Sequence, residues 1–219
     1  MSEKLQHLFE LHCLTSWDKQ HRLASLVGDR DGQLNADAGT ITFEFRYVFP
    51  VQALGAESAA DRTWLWAWAD NESELPPSLL ETVNRLWEYG ERYDIEELVA
   101  ASFPLDGLTG DYLALVAAGI SRASCYYRRS VGDRAEYLLI TAKMVDKQPP
   151  WRGAELVEAF RGLAGRFAFN HKTALLSYCV GRNLPVQETA TGFVIQMPEG
   201  EVVRVQLDEA GRVDQIAAG

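Results

Sequence analysis

Thr63-Trp64-Leu65-Trp66-Ala67-Trp68-Ala69 is the stretch whose reading decides the fold. In extended backbone successive side chains point to opposite faces. The three indoles therefore share one face, and Leu65, Ala67 and Ala69 share the other. Neither face carries a charge. A strand apolar on both faces belongs inside a sheet and is covered on both sides.

The segments before it extend the sheet. Residues 49–54 form a further apolar run, with Pro50 near its start, where a missing backbone donor is tolerated. Ile41, Phe43 and Phe45 alternate with Thr40, Thr42, Glu44 and Arg46, the pattern of a strand with one wet side. Asp37-Ala38-Gly39 marks a turn between these residues and Leu34. Residues 32–69 thus read as four mostly antiparallel strands. Leu5, Leu8, Phe9, Cys13 and Trp17 recur at helical spacing, predicting an opening helix of about six turns stopped by Gly28.

After the Trp strand, Asp70-Asn71-Glu72-Ser73 turns the chain. Pro76-Pro77-Ser78 then opens a helix whose apolar stripe is Leu79, Val83, Leu86 and Trp87, with Gly90 as its expected end. A shorter helical piece follows at 95–100. Thr109 is the natural cap of a helix over 111–118. Strands at 123–128 and 136–141 are joined by the hairpin turn Ser130-Val131-Gly132-Asp133. Lys147-Gln148-Pro149-Pro150 is the best candidate boundary. Beyond it come helices over 154–163 and 170–180, the second closed by Gly181, then strands at 187–189, 193–197 and 201–207 and a further candidate at 213–216.

The reading is therefore α+β: a mainly antiparallel sheet of about six strands flanked by helices, plus a small C-terminal α-α-β-β-β module. The division is 1–146 and 151–219, with one continuous domain as the alternative.

A chain of 219 residues, 47% apolar and 24% charged, has the composition of an ordinary globular protein. The net charge of −10 disfavours phosphate backbones and anionic membrane surfaces, and admits a cationic protein partner. Three cysteines, Cys13, Cys125 and Cys179, do not make a disulfide framework. The opening residues lack the basic start and apolar run of a signal peptide, so the expected location is cytoplasmic.

Motif chemistry is sparse. His7, His12, His21 and His171 are scattered, no Cys-x-x-Cys or His-x-x-x-His pair occurs, and neither a metal nor a cofactor is expected. Gly55-Ala56-Glu57-Ser58 only superficially suggests a nucleophile elbow, and phosphate-binding glycine loops are missing. No catalytic residue is assigned. The most pocket-like feature is the Trp strand with its polar ends. Trp64, Trp66 and Trp68 on one face would suit stacking on a planar ligand, or would pack under the helix carrying Trp87. Gln52, Glu57 and Ser58 just upstream are polar groups that would accept the indole N–H bonds. Asp70 and Asn71 lie just downstream. Arg128, beside Arg129, Tyr126 and Tyr127, would hold an anion or carboxylate.

Residues 49–58, the Trp-x-Trp-x-Trp run, Trp87-Glu88-Tyr89-Gly90-Glu91 and Tyr126-Tyr127-Arg128 together resemble a family of bacterial proteins known only as a domain of unknown function. The resemblance covers roughly residues 5–142 and implies a fold and a bacterial origin, with no activity attached. That family more often carries Asn directly after the final Ala, where this chain has Asp70 followed by Asn71.

Two functional readings follow. The first is a non-enzymatic binding or protein-interaction module with a cationic partner. The second is a small-molecule-binding protein or hydrolase-like enzyme with its pocket beside the Trp strand. A homodimer through the C-terminal strands is a third arrangement the sequence admits.

Overall fold

A computed structural model describes residues 1–44, 46–72 and 74–219. Phe45 and Ser73, assigned above to a strand and a turn, lie outside the described residues.

The chain opens with helix α1 (Glu3–Val27), whose first turn is capped by Ser2 accepting from the N–H of Leu5 at 3.2 Å. Gly28, at φ 60°, ends it as expected. Strands β1 (Gly32–Asn35), β2 (Thr40–Phe43), β3 (Tyr47–Ser58) and β4 (Thr63–Trp66) follow. A single 3₁₀ turn, Pro77–Leu79, leads into α2 (Glu81–Tyr93) and the short α3 (Glu96–Val99). Next come β5 (Ser102–Pro104), α4 (Gly110–Ser121), the hairpin β6 (Cys125–Val131) and β7 (Arg134–Ile140), and α5 (Lys143–Asp146). The C-terminal part holds α6 (Gly153–Ala164), α7 (His171–Arg182), β8 (Val186–Thr189), β9 (Gly192–Gln196), β10 (Val202–Leu207) and β11 (Val213–Ala218).

Among the described residues seven strands form one antiparallel sheet, one more than expected. The addition is β5, whose Phe103 lies opposite Trp64. Its spine is β3, longer than the predicted 49–54 run. Pro50 sits where β3 passes from pairing with β2 to pairing with β7: its last β2 partner is Thr40, and Val51 next to it faces Ile140. A strand that changes partner there loses nothing to the missing N–H. The second sheet is a meander of four strands, in the order β11-β10-β9-β8. The 213–216 segment is thus a full member of it. Its outer edge is occupied: the N–H of Val213 donates to His171 Nδ1 at 3.0 Å, and Arg161 donates to the Ile216 carbonyl at 3.0 Å.

Between the sheets lie helices. α4 is buried nearly all round, from Tyr112 to Ala118, because its sequence is apolar on every side. It packs on β3, β6 and β7 and also on α1, and α1 in turn packs on α7. One hydrophobic cluster runs from Leu5 of α1 to Ile216 of β11. Where α1 meets α7, Asp18 is fully buried and ion-paired with both Arg22 and Arg182, and the Tyr178 hydroxyl donates to it at 3.3 Å.

Two predicted helix ends move. α2 continues past Gly90 to Tyr93, because Gly90 is a contact and not a stop. A Cβ there would stand 2.7 Å from Cβ of Leu98, so glycine lets α2 and α3 close together. α7 likewise runs through Gly181 and ends at Asn183, in the left-handed region at φ 54°. The Thr109 and Asn170 caps are as read, accepting from Tyr112 and Thr173 at 3.2 and 2.9 Å.

Burial holds the imidazoles of His12, His21 and His171 below the ordinary histidine range. For His21 and His171 a nearby arginine adds to this, while Asp18 and Asp208 oppose it. The unfolded chain takes up protons near pH ~6.5 and the folded chain lower, so acidification favours unfolding. Glu97 acts in the same direction. Burial pushes its carboxyl up, but hydrogen bonds from the backbone and hydroxyl of Ser2 outweigh this and hold it low. Its contribution is lost as pH falls below about 4.3. The melting temperature should fall progressively from about pH 7 downward, and more gently in His12→Gln. A melting temperature constant between about pH 7.5 and about pH 5.5 would contradict this.

Candidate functional site

The Trp strand is shorter than its alternation suggests. After Trp66 the chain turns, with the Ala69 N–H bonded to the Trp66 carbonyl at 3.0 Å, so Trp68 leaves the row. Trp64 and Trp66 are 0% and 1% exposed and meet edge to face at 5.3 Å. Trp64 also lies against Tyr137, at 5.4 Å. Gly55 makes room for it: a Cβ there would stand 2.6 Å from the Trp64 ring. The indole N–H of Trp66 donates to the backbone carbonyl of Glu97 at 2.9 Å, not to the polar side chains upstream. Among the described residues the buried N–H groups of Trp64 and Trp68 have no acceptor. The other face of β4 is only partly covered, since Leu65 is half-buried.

Glu57 and Arg128 do come together, through a residue that sequence reasoning missed. Tyr137 lies directly across from Arg128 in the β6–β7 ladder. Its hydroxyl donates to Glu57 Oε2 at 3.0 Å and accepts from Arg128 Nε at 3.2 Å. The same Glu57 oxygen accepts from the N–H of Gly110 at 2.9 Å, at the start of α4. A carboxylate at a helix N-terminus is favoured by the unpaired N–H groups and the helix dipole. Beside it the Tyr126 hydroxyl donates to Asp111 at 2.8 Å. Burial, followed by the negative charges of Asp111 and Glu57, pushes the Tyr137 phenol well upward. It is a fixed donor, and the cluster ties the sheet to α4. The direct cross-strand position opposite Arg128 was the signal that would have revealed Tyr137.

The remaining predicted residues lie apart. Gln52 spans the start of α2: its Oε1 accepts from Thr82 at 3.0 Å and its Nε2 donates to the Ser78 carbonyl at 2.7 Å. It replaces the cap that Leu80, the residue preceding α2, cannot provide. Ser58 bonds within its own turn to Asp61, Asp70 accepts from the N–H of Glu72 at 3.1 Å, and Asn71 is exposed. Asp70 also borders a cavity of about 90 Å³ on the Leu65 side of β4, lined in part by Ala67, Arg129, Arg134 and Glu136.

Trp87, placed in the buried stripe by its spacing, is 38% exposed and stands edge-on to Trp68 at 6.2 Å. Further along α2, Tyr93 is 50% exposed and packs on Tyr89 at 4.4 Å. Glu88 and Glu91 are exposed on the same helix, and Glu72 and Glu74 on the segment after Trp68.

All three cysteines are buried. Burial pushes the thiols of Cys125 and Cys179 up to about 12, and that of Cys13 upward as well, so none is an activated nucleophile. Among the described residues no group of three His, Cys, Asp or Glu side chains is placed to hold a metal, and no helix is long and apolar enough to cross a membrane.

Fold and site together define an α+β protein of two antiparallel sheets, with a polar cluster at the sheet–helix junction and an exposed aromatic surface on α2. Within that class, the model of a family of unknown function, DUF6882, matches residues 6–143, and the chain belongs to that family. Comparison with curated proteins and with solved structures finds no match.

Proposed function

We propose that the protein is a non-enzymatic binding module that docks a cationic protein partner on the surface formed by α2 with Glu72 and Glu74. The observation that carries the reading is Trp87: a large indole, partly exposed, braced by Trp68, on a helix that also exposes Glu88 and Glu91. Tryptophan and tyrosine are the residues that anchor protein interfaces, and opposite charge at the rim speeds encounter and selects partners. Glu72, Glu74, Glu88 and Glu91 would supply that rim. The alternative pocket beside the Trp strand draws less support, because about 90 Å³ is well below the ~300 Å³ from which small-molecule sites usually start.

In pull-downs from the native host at low salt, the wild-type chain should capture a basic protein that is released as salt is raised. Trp87→Ala should weaken that capture about tenfold or more while leaving the melting temperature within a few degrees. Failure to recover any specific partner at low salt, or equal capture by wild type and Trp87→Ala, would overturn the reading.

A further inference from the structure

A ligand-sized groove lies elsewhere, where residues 148–152 pass between α1 and α6. It measures about 760 Å³, inside the ~300–1,000 Å³ range of small-molecule sites. Aromatic rings line it: Trp17 from α1, Trp151 from the connection, and His21 edge-on to both, at 4.9 and 6.0 Å. Trp17 is 8% exposed, and its buried indole N–H has no acceptor among the described residues. Around the rings stand Arg22, Arg152 and Arg166 against Glu155 and Glu158. Arg152 is ion-paired with Glu199 at 3.7 Å. Arg22 is committed to Asp18 and to the Pro149 carbonyl. Arg166 makes no ion pair among the described residues, and its guanidinium sits 5.2 Å from the Trp17 ring centroid.

We propose that this groove binds a small planar aromatic anion, its ring against Trp17, His21 and Trp151 and its charged group on Arg166. A flat ring fits walls that present aromatic edges and faces. A guanidinium already held over an indole is oriented before the ligand arrives, so little side-chain entropy is lost on binding. The site joins Trp17 and His21, within the matched 6–143 segment, to Trp151 and Arg166 beyond it. Each half alone supplies only part of it.

Gly162 provides the decisive variant. It lines the groove on α6, and a Cβ there would meet no atom within 4 Å. Gly162→Leu therefore projects a side chain into open space while removing a helix glycine, so folding should be kept or improved. The probe is anilinonaphthalene sulfonate, titrated into the full chain and followed by calorimetry, with neutral phenylnaphthylamine as the uncharged control. Wild type should bind one equivalent of the sulfonate. Arg166→Gln should weaken that binding about tenfold and leave the neutral control unchanged. Gly162→Leu should abolish binding of both at an unchanged or raised melting temperature. No binding by wild type, undiminished binding by Gly162→Leu, or equal loss of both probes in Arg166→Gln would overturn the proposal.

Discussion

Asp18→Ala should cost about 3–5 kcal/mol of folding stability, as measured by denaturant unfolding. Asp18 is fully buried and holds Arg22 of its own helix and Arg182 of α7. The two guanidinium groups are themselves nearly covered, at 12% and 11% exposure. Removing the carboxylate leaves two close cations facing each other without compensation, and costs the Tyr178 hydroxyl its acceptor. The loss is large because it combines desolvation with like-charge repulsion. The pair itself need not contribute net stability, since desolvation offsets much of the attraction. The double variant Asp18→Ala with Arg182→Met should therefore recover at least ~1 kcal/mol relative to Asp18→Ala alone. Strict additivity of the two changes would show that the groups are not coupled. Because the contact joins α1 to α7, truncation after residue 146 should likewise leave Asp18 and the apolar face of α1 exposed, giving a poorly soluble fragment.

Whatever depends on local pattern was legible in the sequence. The α1 periodicity and the Thr109 and Asn170 caps are each written within a few residues and stand as read, and the β6–β7 hairpin forms with its turn tightened to Gly132-Asp133, because Ser130 and Val131 pair with Ala135 and Arg134. The elements that were not legible owe their form to partners far away. β5 has three residues, too few for alternation, and exists because Trp64 and Leu65 supply a ladder for Phe103 and Ser102. Trp87 keeps the spacing of a buried stripe but falls at its edge, so spacing alone overstated its burial. Asp18 and Arg22 look like an ordinary exposed i, i+4 pair until Arg182 and Tyr178 arrive from 164 and 160 residues away. The candidate site divides in the same way. Glu57 and Arg128 were singled out for their chemistry, but Tyr137, which joins them, is an unremarkable strand tyrosine without the register. The groove was invisible because it is assembled from residues 17–26 and 148–166.

Trp66→Ala should be the other severe substitution, at about 3–5 kcal/mol. Against a total of roughly 5–15 kcal/mol, that is enough to leave a marginal domain partly unfolded at physiological temperature. Two losses add. The first is the volume of an indole packed against Trp64 between β3 and β5, where the backbone ladders resist collapse into the cavity. The second is the donor to the Glu97 carbonyl, which becomes a buried acceptor without a partner. Phenylalanine replacements separate the two. Trp66→Phe keeps an aromatic ring but removes the donor, and should cost ~1–3 kcal/mol beyond the effect of size. Trp64→Phe removes an N–H that has no acceptor among the described residues, so it relieves a desolvated polar group as it loses volume. The expected order of destabilisation is therefore Trp66→Ala, then Trp66→Phe, then Trp64→Phe. A Trp64→Phe variant less stable than Trp66→Phe would mean that packing, and not the hydrogen bond to α3, fixes the Trp strand in place. The order also bears on the proposed docking surface. Trp66 ties β4 to α3, which closes on α2 at Gly90, so a loosened Trp66 should blunt partner capture while Trp87 itself is untouched. Partner capture that survives in Trp66→Phe but is lost in Trp87→Ala would separate the anchor from the scaffold that holds it.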